Sequence, residues 1–175
     1  MTRAVRFIEA ACGSDLDGLL AIENACSPHP WNAAHFRDAL SDPHTVVLVV
    51  RECDTRGASG SGLLGLCIAQ VVAGEAQIHN LAVSRSARRI GLGRQLLETA
   101  LRVAAMRGAT QSFLEVRASN DAALRLYESA GFVRSGRRAD YYAEPREDAI
   151  LMTRDLPLRP ACVGGGGARG DGERR

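Results

Sequence analysis

The chain has 175 residues, of which 46% are apolar, 24% charged and 5% aromatic, a composition typical of one ordinary soluble domain. Its 22 basic and 20 acidic residues leave a formal charge of +2, which excludes the one-signed balance of a dedicated nucleic-acid binder. No long apolar segment indicates a signal peptide or a membrane span. We therefore predict a cytoplasmic protein that makes no direct contact with nucleic acid or membrane.

The cysteines argue against both a disulfide framework and a metal site. There are five of them, and no two are spaced as C-x-x-C. We expect small thiols in a reducing compartment and no bound metal.

The N-terminal half of the chain predicts a strand, two helices and then an antiparallel meander. Ser14 and Asn32 stand where helix N-caps are expected, and Asp17 stands where a capping box would place its acid. Glycine-rich residues 54–62 predict a flexible turn between two strands. The expected elements are a strand at 3–9, helices at 14–26 and 32–40, and strands at 44–52, 63–73 and 74–83.

The C-terminal half continues as helix, strand, helix and strand, an order typical of a crossover architecture. Glu98 and Arg102 are spaced as an i, i+4 pair, Ser119 is the expected cap of the second helix, and Gly131 ends it. Six of the last twelve residues are glycine, so we expect one domain at 1–157 and a disordered tail at 158–175. The expected elements are a helix between Leu92 and Gly108, a strand at 110–116, a helix at 119–130, a strand from 132 and a strand at 147–156.

Residues Arg88 to Gly93, with the sequence RRIGLG, lie between a predicted strand and an amphipathic helix. Free backbone N–H groups and the positive end of the helix dipole make this position suitable for an anion. The turn is not a P-loop, because no Gly-Lys-Ser/Thr follows, and not a dinucleotide fingerprint, because Leu96 replaces the third glycine. Taken alone, it is equally compatible with a tight connection flanked by solvated arginines.

With its flanking elements, the turn resembles the signature of the GCN5-related N-acetyltransferase (GNAT) superfamily, Gln/Arg-x-x-Gly-x-Gly/Ala, through Arg88, Gly91 and Gly93. The resemblance spans about residues 3–155 and implies an α/β (α+β) fold. This fold is a mixed, mostly antiparallel sheet of six to seven strands, splayed at the cofactor site and flanked by about four helices. The resemblance also implies that the turn's backbone grips the pyrophosphate of acetyl-CoA, while the preceding strand pairs with its pantetheine arm. The implied cofactor-binding residues are Leu81, Ala82, Val83, Arg88, Arg89, Ile90, Gly91, Leu92, Gly93, Arg94, Asn120 and Tyr127.

Three further segments resemble the RimI branch of that superfamily, the ribosomal-protein-alanine N-acetyltransferases. They are HPW at 29–31, LEVRASNDAALRLYESAGF at 114–132 and YYAEPREDAILM at 141–152. The resemblance implies transfer of an acetyl group from acetyl-CoA to a protein N-terminal amine, with the N-terminal alanine of the eighteenth small-subunit ribosomal protein as the expected substrate. Acetylation of a small amine and a non-catalytic acetyl-CoA-binding module are the alternatives.

Acetyl transfer needs a neutral amine, yet an α-amino group with a pKa near 8 is only about one tenth deprotonated at pH 7. In RimI-like enzymes the glutamate of LEVR, here Glu115, takes this proton directly or through water. The tyrosine of LYES, here Tyr127, protonates the leaving thiolate. We expect the two side chains to face one thioester from adjoining elements. The structural alternatives are a Glu115 paired with Arg117 and a Tyr127 that packs its helix on the sheet.

The acceptor site is expected between the first two helices and the segment before the last strand. Its implied substrate-binding residues are Trp31, His79, Asn80, Tyr141 and Tyr142, with the two tyrosines on a loop. Trp31 is alternatively a hydrophobic staple, and Glu75 is a spare acid. We expect a narrow slot for an extended N-terminal peptide, in a monomer or weak dimer.

Overall fold

The computed structural model describes residues 5–53 and 62–157. The predicted flexible turn, except for Gly62, and the predicted tail at 158–175 lie outside the described residues. None of the described helices is long and apolar enough to cross a membrane. The described elements are β1 (Val5–Ala10), α1 (Leu16–Cys26), α2 (Ala33–Ser41), β2 (Thr45–Cys53), β3 (Leu63–Val72), β4 (Glu75–Val83), α3 (Leu92–Met106), β5 (Gln111–Arg117), α4 (Asp121–Ser129), β6 (Val133–Ala143) and β7 (Arg146–Asp155).

The seven described strands form one sheet in the order β1-β2-β3-β4-β5-β7-β6. Neighbouring strands are antiparallel, except that β4 and β5 are parallel and are joined by a crossover through α3. The predicted fold class, a mostly antiparallel sheet with four helices, is confirmed. The second expected crossover, through α4, does not place β6 beside β5, because β7 lies between them and pairs with both.

Helices cover both faces of the sheet, and each layer buries its own apolar cluster. On the face covered by α3 and α4, here called the α3 face, Leu96, Leu97 and Met152 are fully buried. On the face covered by α1 and α2, here called the α1 face, Leu19 and Phe36 are fully buried. The sheet therefore separates two compartments of the molecule.

β4 and β5 pair along only half of their length. The pairing joins residues 75–78 of β4 to residues 111–114 of β5. Beyond it, residues 79–83 and 115–117 of the two strands are not paired with one another. The strands are thus splayed, as predicted, and each presents an open backbone edge to the gap between them.

A β-bulge in β4 lies where this gap begins. Ala69 of β3 faces Ile78, but Ile68 faces Asn80, so His79 is an extra residue in β4. Ile68 and Ile78 belong to the clusters of opposite faces. As a result, the consecutive residues His79 and Asn80 both direct their side chains to the α1 face.

The ends of the first two helices confirm one predicted cap and correct another. Asn32 caps α2, since its Oδ1 accepts a hydrogen bond from the His35 N–H at 3.0 Å. Ser14 does not cap α1, because it lies in a 3-10 turn that precedes the helix. Asp15, and not Asp17, is the acid that accepts a backbone N–H there, from residue 12 at 2.9 Å.

Two expected contacts in the second half are also wrong. Asn120, and not Ser119, caps α4, because its Oδ1 accepts the N–H of residue 123 at 3.1 Å. Glu98 does not pair with Arg102, since Arg154 of the neighbouring strand β7 lies 3.3 Å from its carboxylate. Tertiary partners therefore replace the local ones that spacing along the chain favours.

Candidate active site

The turn between β4 and α3 presents backbone N–H groups at a helix N-terminus. Gly91 is the N-cap of α3 and has φ +86°, a left-handed conformation that residues with a side chain disfavour. Because glycine has no side chain to cap the helix, the N–H groups of the first turn are left for a ligand. The positive end of the helix dipole adds to their attraction for an anion.

This turn forms one wall of a cavity of about 590 Å³ on the α3 face, here called the arginine-lined cavity. The end of β4 and one side of α4 form its other walls. All but one of the predicted cofactor-binding residues line this cavity. Ile90 does not line it, and its side chain is 48% exposed. The predicted residues that line it are Leu81, Ala82, Val83, Arg88, Arg89, Gly91, Leu92, Gly93, Arg94, Asn120 and Tyr127.

Arginines give this cavity a strongly positive lining. Arg88 Nε donates to the Val83 carbonyl at 3.1 Å, which fixes the turn to the end of β4. Arg94 donates to a carbonyl at the end of α4 at 3.2 Å. Arg89 and Arg125 also line the cavity, whereas its described lining contains no carboxylate. The charge therefore suits a ligand that carries several phosphates.

Glu115 lies on β5 beside the gap and points to the α1 face, because both of its neighbours along the strand belong to the α3-face core. Its carboxylate lies 2.9 Å from a guanidinium nitrogen of Arg138 on β6. Glu115 is thus paired with an arginine, as its structural alternative proposed, but this arginine is Arg138 and not Arg117. Arg117 reaches over the β6–β7 turn instead, where it pairs with Glu147 at 3.3 Å and stacks on Tyr142 at 4.0 Å.

Tyr127 lies on α4 at the inner end of the arginine-lined cavity and is 8% exposed. Its ring packs edge-on against Phe132, with centroids 5.8 Å apart. Burial raises the pKa of Tyr127 well above its ordinary value, so the phenol stays protonated at neutral pH. It is therefore available as a proton donor, besides packing α4 on the sheet.

Glu115 and Tyr127 lie on opposite faces of the sheet, whereas we expected them to face one thioester from adjoining elements without pointing to opposite sides of the sheet. Between them lies the gap where β4 and β5 part, so a group held in that gap would be approached by one side chain from each face. Burial, and then the charge of Glu115, raise the pKa of Tyr142.

Trp31 and His79 line a cavity of about 390 Å³ on the α1 face, with ring centroids 6.4 Å apart. Trp31 also packs against Phe36, 5.6 Å away, so it forms the hydrophobic staple that was its alternative interpretation. The two roles are compatible, because Trp31 packs on Phe36 and also lines the cavity. Burial lowers the pKa of His79, against the opposing effect of Glu115, so this imidazole is neutral at pH 7.

Tyr141 and Tyr142 lie within β6 and not on a loop, because the strand continues past a second bulge to its end. Their rings meet edge to face, 5.1 Å apart. A hydrogen bond to Glu115 raises the pKa of Tyr141. Together with His29, whose ring nitrogen bonds the Glu144 carbonyl, the tyrosines line a cavity of about 460 Å³ between the α1–α2 loop and the β6–β7 turn.

Two residues named in the sequence analysis remain to be placed, Asn80 and the spare acid Glu75. Asn80 Nδ2 donates to Glu23 Oε2 at 2.8 Å, so its amide is held against α1. Glu75, the spare acid, lines a third cavity of about 440 Å³ that also includes Glu115 and Arg138. Glu75 and Arg138 therefore share a cavity with Glu115, whereas Asn80 is held by Glu23.

Sequence reasoning missed two residues of this site, Glu23 and Arg138. Glu23 is 2% exposed on the apolar stripe of α1, and an acid at such a position is a signal that the sequence offered. Arg138 gave no signal, because its contact with Glu115 joins β6 to β5 across β7 and requires the strand order.

No metal-binding cluster is present in the part of the chain that the structure describes. No three His, Cys, Asp or Glu side chains cluster there as metal ligands would. Cys67 is fully buried, and burial raises its pKa to about 12, so its thiol is unreactive. Cys26 lies at the wall of the arginine-lined cavity, with Sγ 3.4 Å from the Val83 carbonyl oxygen.

The splayed sheet, the glycine turn at a helix N-terminus and the cavities on both sides of the gap define the class of protein. The chain belongs to the acetyltransferase (GNAT) family, whose family model matches residues 16–132. The matched segment includes the glycine turn, the splayed strands and α4. The protein is accordingly an N-acetyltransferase.

Relatives indicate the branch within the family. The [ribosomal protein bS18]-alanine N-acetyltransferase of Escherichia coli is 36% identical over 147 residues, which cover 83% of this chain and 93% of that protein. The N-alpha-acetyltransferase RimI of Mycobacterium tuberculosis is 39% identical over 127 residues, or 72% and 76% of the two chains. The predicted superfamily and its RimI branch are confirmed by these matches.

Solved structures agree with the fold described above. The crystal structure of the ribosomal-protein-S18-alanine N-acetyltransferase from Escherichia coli superimposes with a TM-score of 0.77 at 32% identity, and covers 91% of this chain and 99% of that chain. Arabidopsis thaliana NAA60 in complex with acetyl-CoA gives a TM-score of 0.79 at 19% identity, over 87% and 99% of the two chains. The second likeness is one of fold alone.

Proposed function

We propose that this N-acetyltransferase uses acetyl-CoA to acetylate the N-terminal α-amine of a protein, and that its acceptor is the N-terminal alanine of ribosomal protein bS18. The Escherichia coli relative, which is named for that activity and matches this chain over 93% of its own length, supports the choice of acceptor. We place the reaction in the cytoplasm, because ribosomal proteins are synthesised there.

One observation carries the proposal: β4 and β5 part at a point that has the arginine-lined cavity on one face of the sheet and the cavity of Glu115 on the other. The residues of the arginine-lined cavity fit acetyl-CoA. The backbone at Gly91 is open to a diphosphate, and the unpaired edge of residues 81–83 can hydrogen-bond the amides of the pantetheine arm. A thioester at the end of that arm would reach the gap.

A peptide acceptor fits the α1 face. The cavity between the α1–α2 loop and the β6–β7 turn adjoins Glu115 through Tyr141, so the residues that follow the acceptor amine have a channel. Trp31 and Tyr142 offer aromatic surface beside it, suited to an extended chain. A small amine would need no such channel.

Glu115 is the proposed base. Arg138, which holds its carboxylate at 2.9 Å, is 53% exposed, so an incoming α-ammonium can replace one cation at Glu115 by another. Glu115 then takes a proton from the ammonium and passes it to solvent, and the neutral amine forms the C–N bond at the thioester carbonyl. The nitrogen gives up its second proton to Glu115 to become the amide nitrogen. As the C–S bond breaks, Tyr127 gives its phenolic proton to the thiolate and is reprotonated from solvent.

Replacing Tyr127 by phenylalanine should lower kcat by about 100-fold and leave the Kd for acetyl-CoA within about twofold, because only the donated proton is lost. Since the pKa of Tyr127 is raised, the phenol is protonated throughout about pH 6 to 9, and the loss should be the same factor at every pH. Single-turnover assays and titration calorimetry measure the two quantities. Wild-type turnover in Tyr127→Phe would remove Tyr127 from the acid role.

The acceptor is tested with short peptides that differ in their first residue, incubated with acetyl-CoA and analysed by mass spectrometry. We expect acetylation of the α-amine in peptides that begin with alanine, and none in copies whose α-amine is blocked. Transfer to small amines but not to peptides would favour the small-amine alternative. Transfer to neither would favour a non-catalytic acetyl-CoA-binding module.

A further inference from the structure

Glu23 is a buried carboxylate that the mechanism above does not use. It lies on α1 and is 2% exposed. Within residues 5–53 and 62–157, no arginine or histidine nitrogen lies within 4.0 Å of its oxygens as an ion-pair partner. Burying a charge without a counter-charge is costly, so a carboxylate at this position calls for an explanation beyond packing.

The two oxygens of Glu23 hold the two walls of the acceptor side together. Oε1 accepts the backbone N–H of Trp31, on the α1–α2 loop, at 3.3 Å. Oε2 accepts from Asn80 Nδ2, on the β4 bulge, at 2.8 Å. The Glu23 side chain thus connects the α1–α2 loop, which carries Trp31, to Asn80 in the stretch of β4 that is not paired with β5.

A carboxylate also fixes which way the Asn80 amide points. Because an ionised carboxylate only accepts hydrogen bonds, the Asn80 NH₂ group must face Glu23 and Oδ1 must face away. Among the described residues Oδ1 has no hydrogen-bond partner, and it is not sealed from solvent. It is therefore a free acceptor at the gap, one residue from His79.

We propose that Glu23 is a positioning residue: it holds Asn80 so that Oδ1 accepts an N–H of the acceptor amine beside Glu115. This inference rests on the proposed function. Oδ1 steadies the amine from the β4 side while Glu115 takes its proton from the β5 side. Glutamine at position 23 would undo the arrangement, because its NH₂ group would bond Asn80 Oδ1 and turn the amide round.

The experiment is a double-mutant cycle of Glu23→Gln and Asn80→Ala, with KM for an alanine-first peptide as the main readout. Each single variant should raise KM by about tenfold, the effect of losing one hydrogen bond to a charged group. If Glu23 acts through Asn80, the double variant should be no worse than Asn80→Ala. The Kd for acetyl-CoA should stay unchanged in all three, and Asp17→Asn, an exposed acid of the same helix, should behave as wild type.

The melting temperature Tm of Glu23→Gln distinguishes a positioning role of Glu23 from a purely structural one. Removing a buried charge that lacks a counter-charge is often neutral or stabilising, so Glu23→Gln should keep or raise Tm while it raises KM. A fall in Tm with unchanged KM, or KM effects that multiply in the double variant, would overturn the inference. If the wild-type chain acetylates no peptide, the proposed function fails instead. The Asn80 side-chain NH₂ resonances then test the inference without an acceptor, and identical shifts in wild type and Glu23→Gln would overturn it.

Discussion

Replacing Gly91 by glutamate should raise the Kd for acetyl-CoA at least about 100-fold, the effect of losing two or more hydrogen bonds to a charged group. With φ +86°, position 91 strains any residue that carries a side chain. A carboxylate at the N-terminus of α3 would also bind the N–H groups that we assign to the diphosphate, and it would repel that ligand. Titration calorimetry with acetyl-CoA measures the effect directly.

Gly108 provides a matched control at the other end of α3. Its φ is +91° and the space around it is open, so Gly108→Glu introduces the same kind of backbone strain away from the arginine-lined cavity. Both variants should lose similar stability, and only Gly91→Glu should lose affinity. Unchanged affinity in Gly91→Glu would refute the assignment of this turn to the diphosphate.

Replacing Glu115 by glutamine should lower the rate at neutral pH by about 100-fold or more, the usual contribution of a general base, and the variant should then depend on acceptor that is already neutral. With an amine pKa near 8, the neutral fraction rises from about one tenth at pH 7 to about nine tenths at pH 9. The rate of Glu115→Gln should therefore rise about ninefold over this interval, whereas the wild-type rate should rise less. Initial rates with an alanine-first peptide at each pH provide the measurement.

Glu75→Gln is the appropriate comparison, since Glu75 lines the same cavity as Glu115 and carries the same charge. It should retain the wild-type rate and pH profile. If Glu115→Gln loses the same factor at every pH, then Glu115 orients Arg138 or Tyr141 and does not accept the proton. Glu115→Gln thus tests proton transfer, and Glu75→Gln tests the effect of removing a negative charge from the same cavity.

Much of the secondary structure could be predicted, because it depends on local chemistry. The apolar periodicity of α3 and the β-branched residues of β2 and β3 determine the type of those elements wherever they pack. Gly108 and Gly131 both adopt positive φ, which explains why they mark the ends of helices. Element boundaries shifted by one or two residues, where capping depends on side-chain geometry.

Contacts between strands distant in sequence could not be predicted from spacing. The structural alternative for Glu115 was a pair with Arg117, two residues along the chain, but β7 inserts beside β5 and β6 brings Arg138 to Glu115. Glu98 likewise pairs with Arg154 of β7 and not with its helical neighbour Arg102. In both cases the partner is set by the order of strands in the sheet, which local sequence does not encode.

The sequence indicated which residues form the candidate site better than it indicated how they are placed in space. The glycine turn and the segments around Glu115 and Tyr127 carry motifs, so their positions could be named from the sequence alone. Their placement on opposite faces follows from strand alternation in β5 and from the packing of α4, which needs the fold. Glu23 was missed, although an acid on the apolar stripe of α1 is a signal that the sequence offered.

The half-length pairing of β4 and β5 also affects the order of events in a catalytic cycle. In the proposed function, the donor enters by the arginine-lined cavity and the acceptor by the cavity beside Tyr141, and these two cavities share no lining residue among those the structure describes. Neither substrate would then block the entry of the other, so both could be bound in one ternary complex and the acyl group could pass directly from sulfur to nitrogen. Strands paired to their ends would leave no gap between β4 and β5 for that transfer.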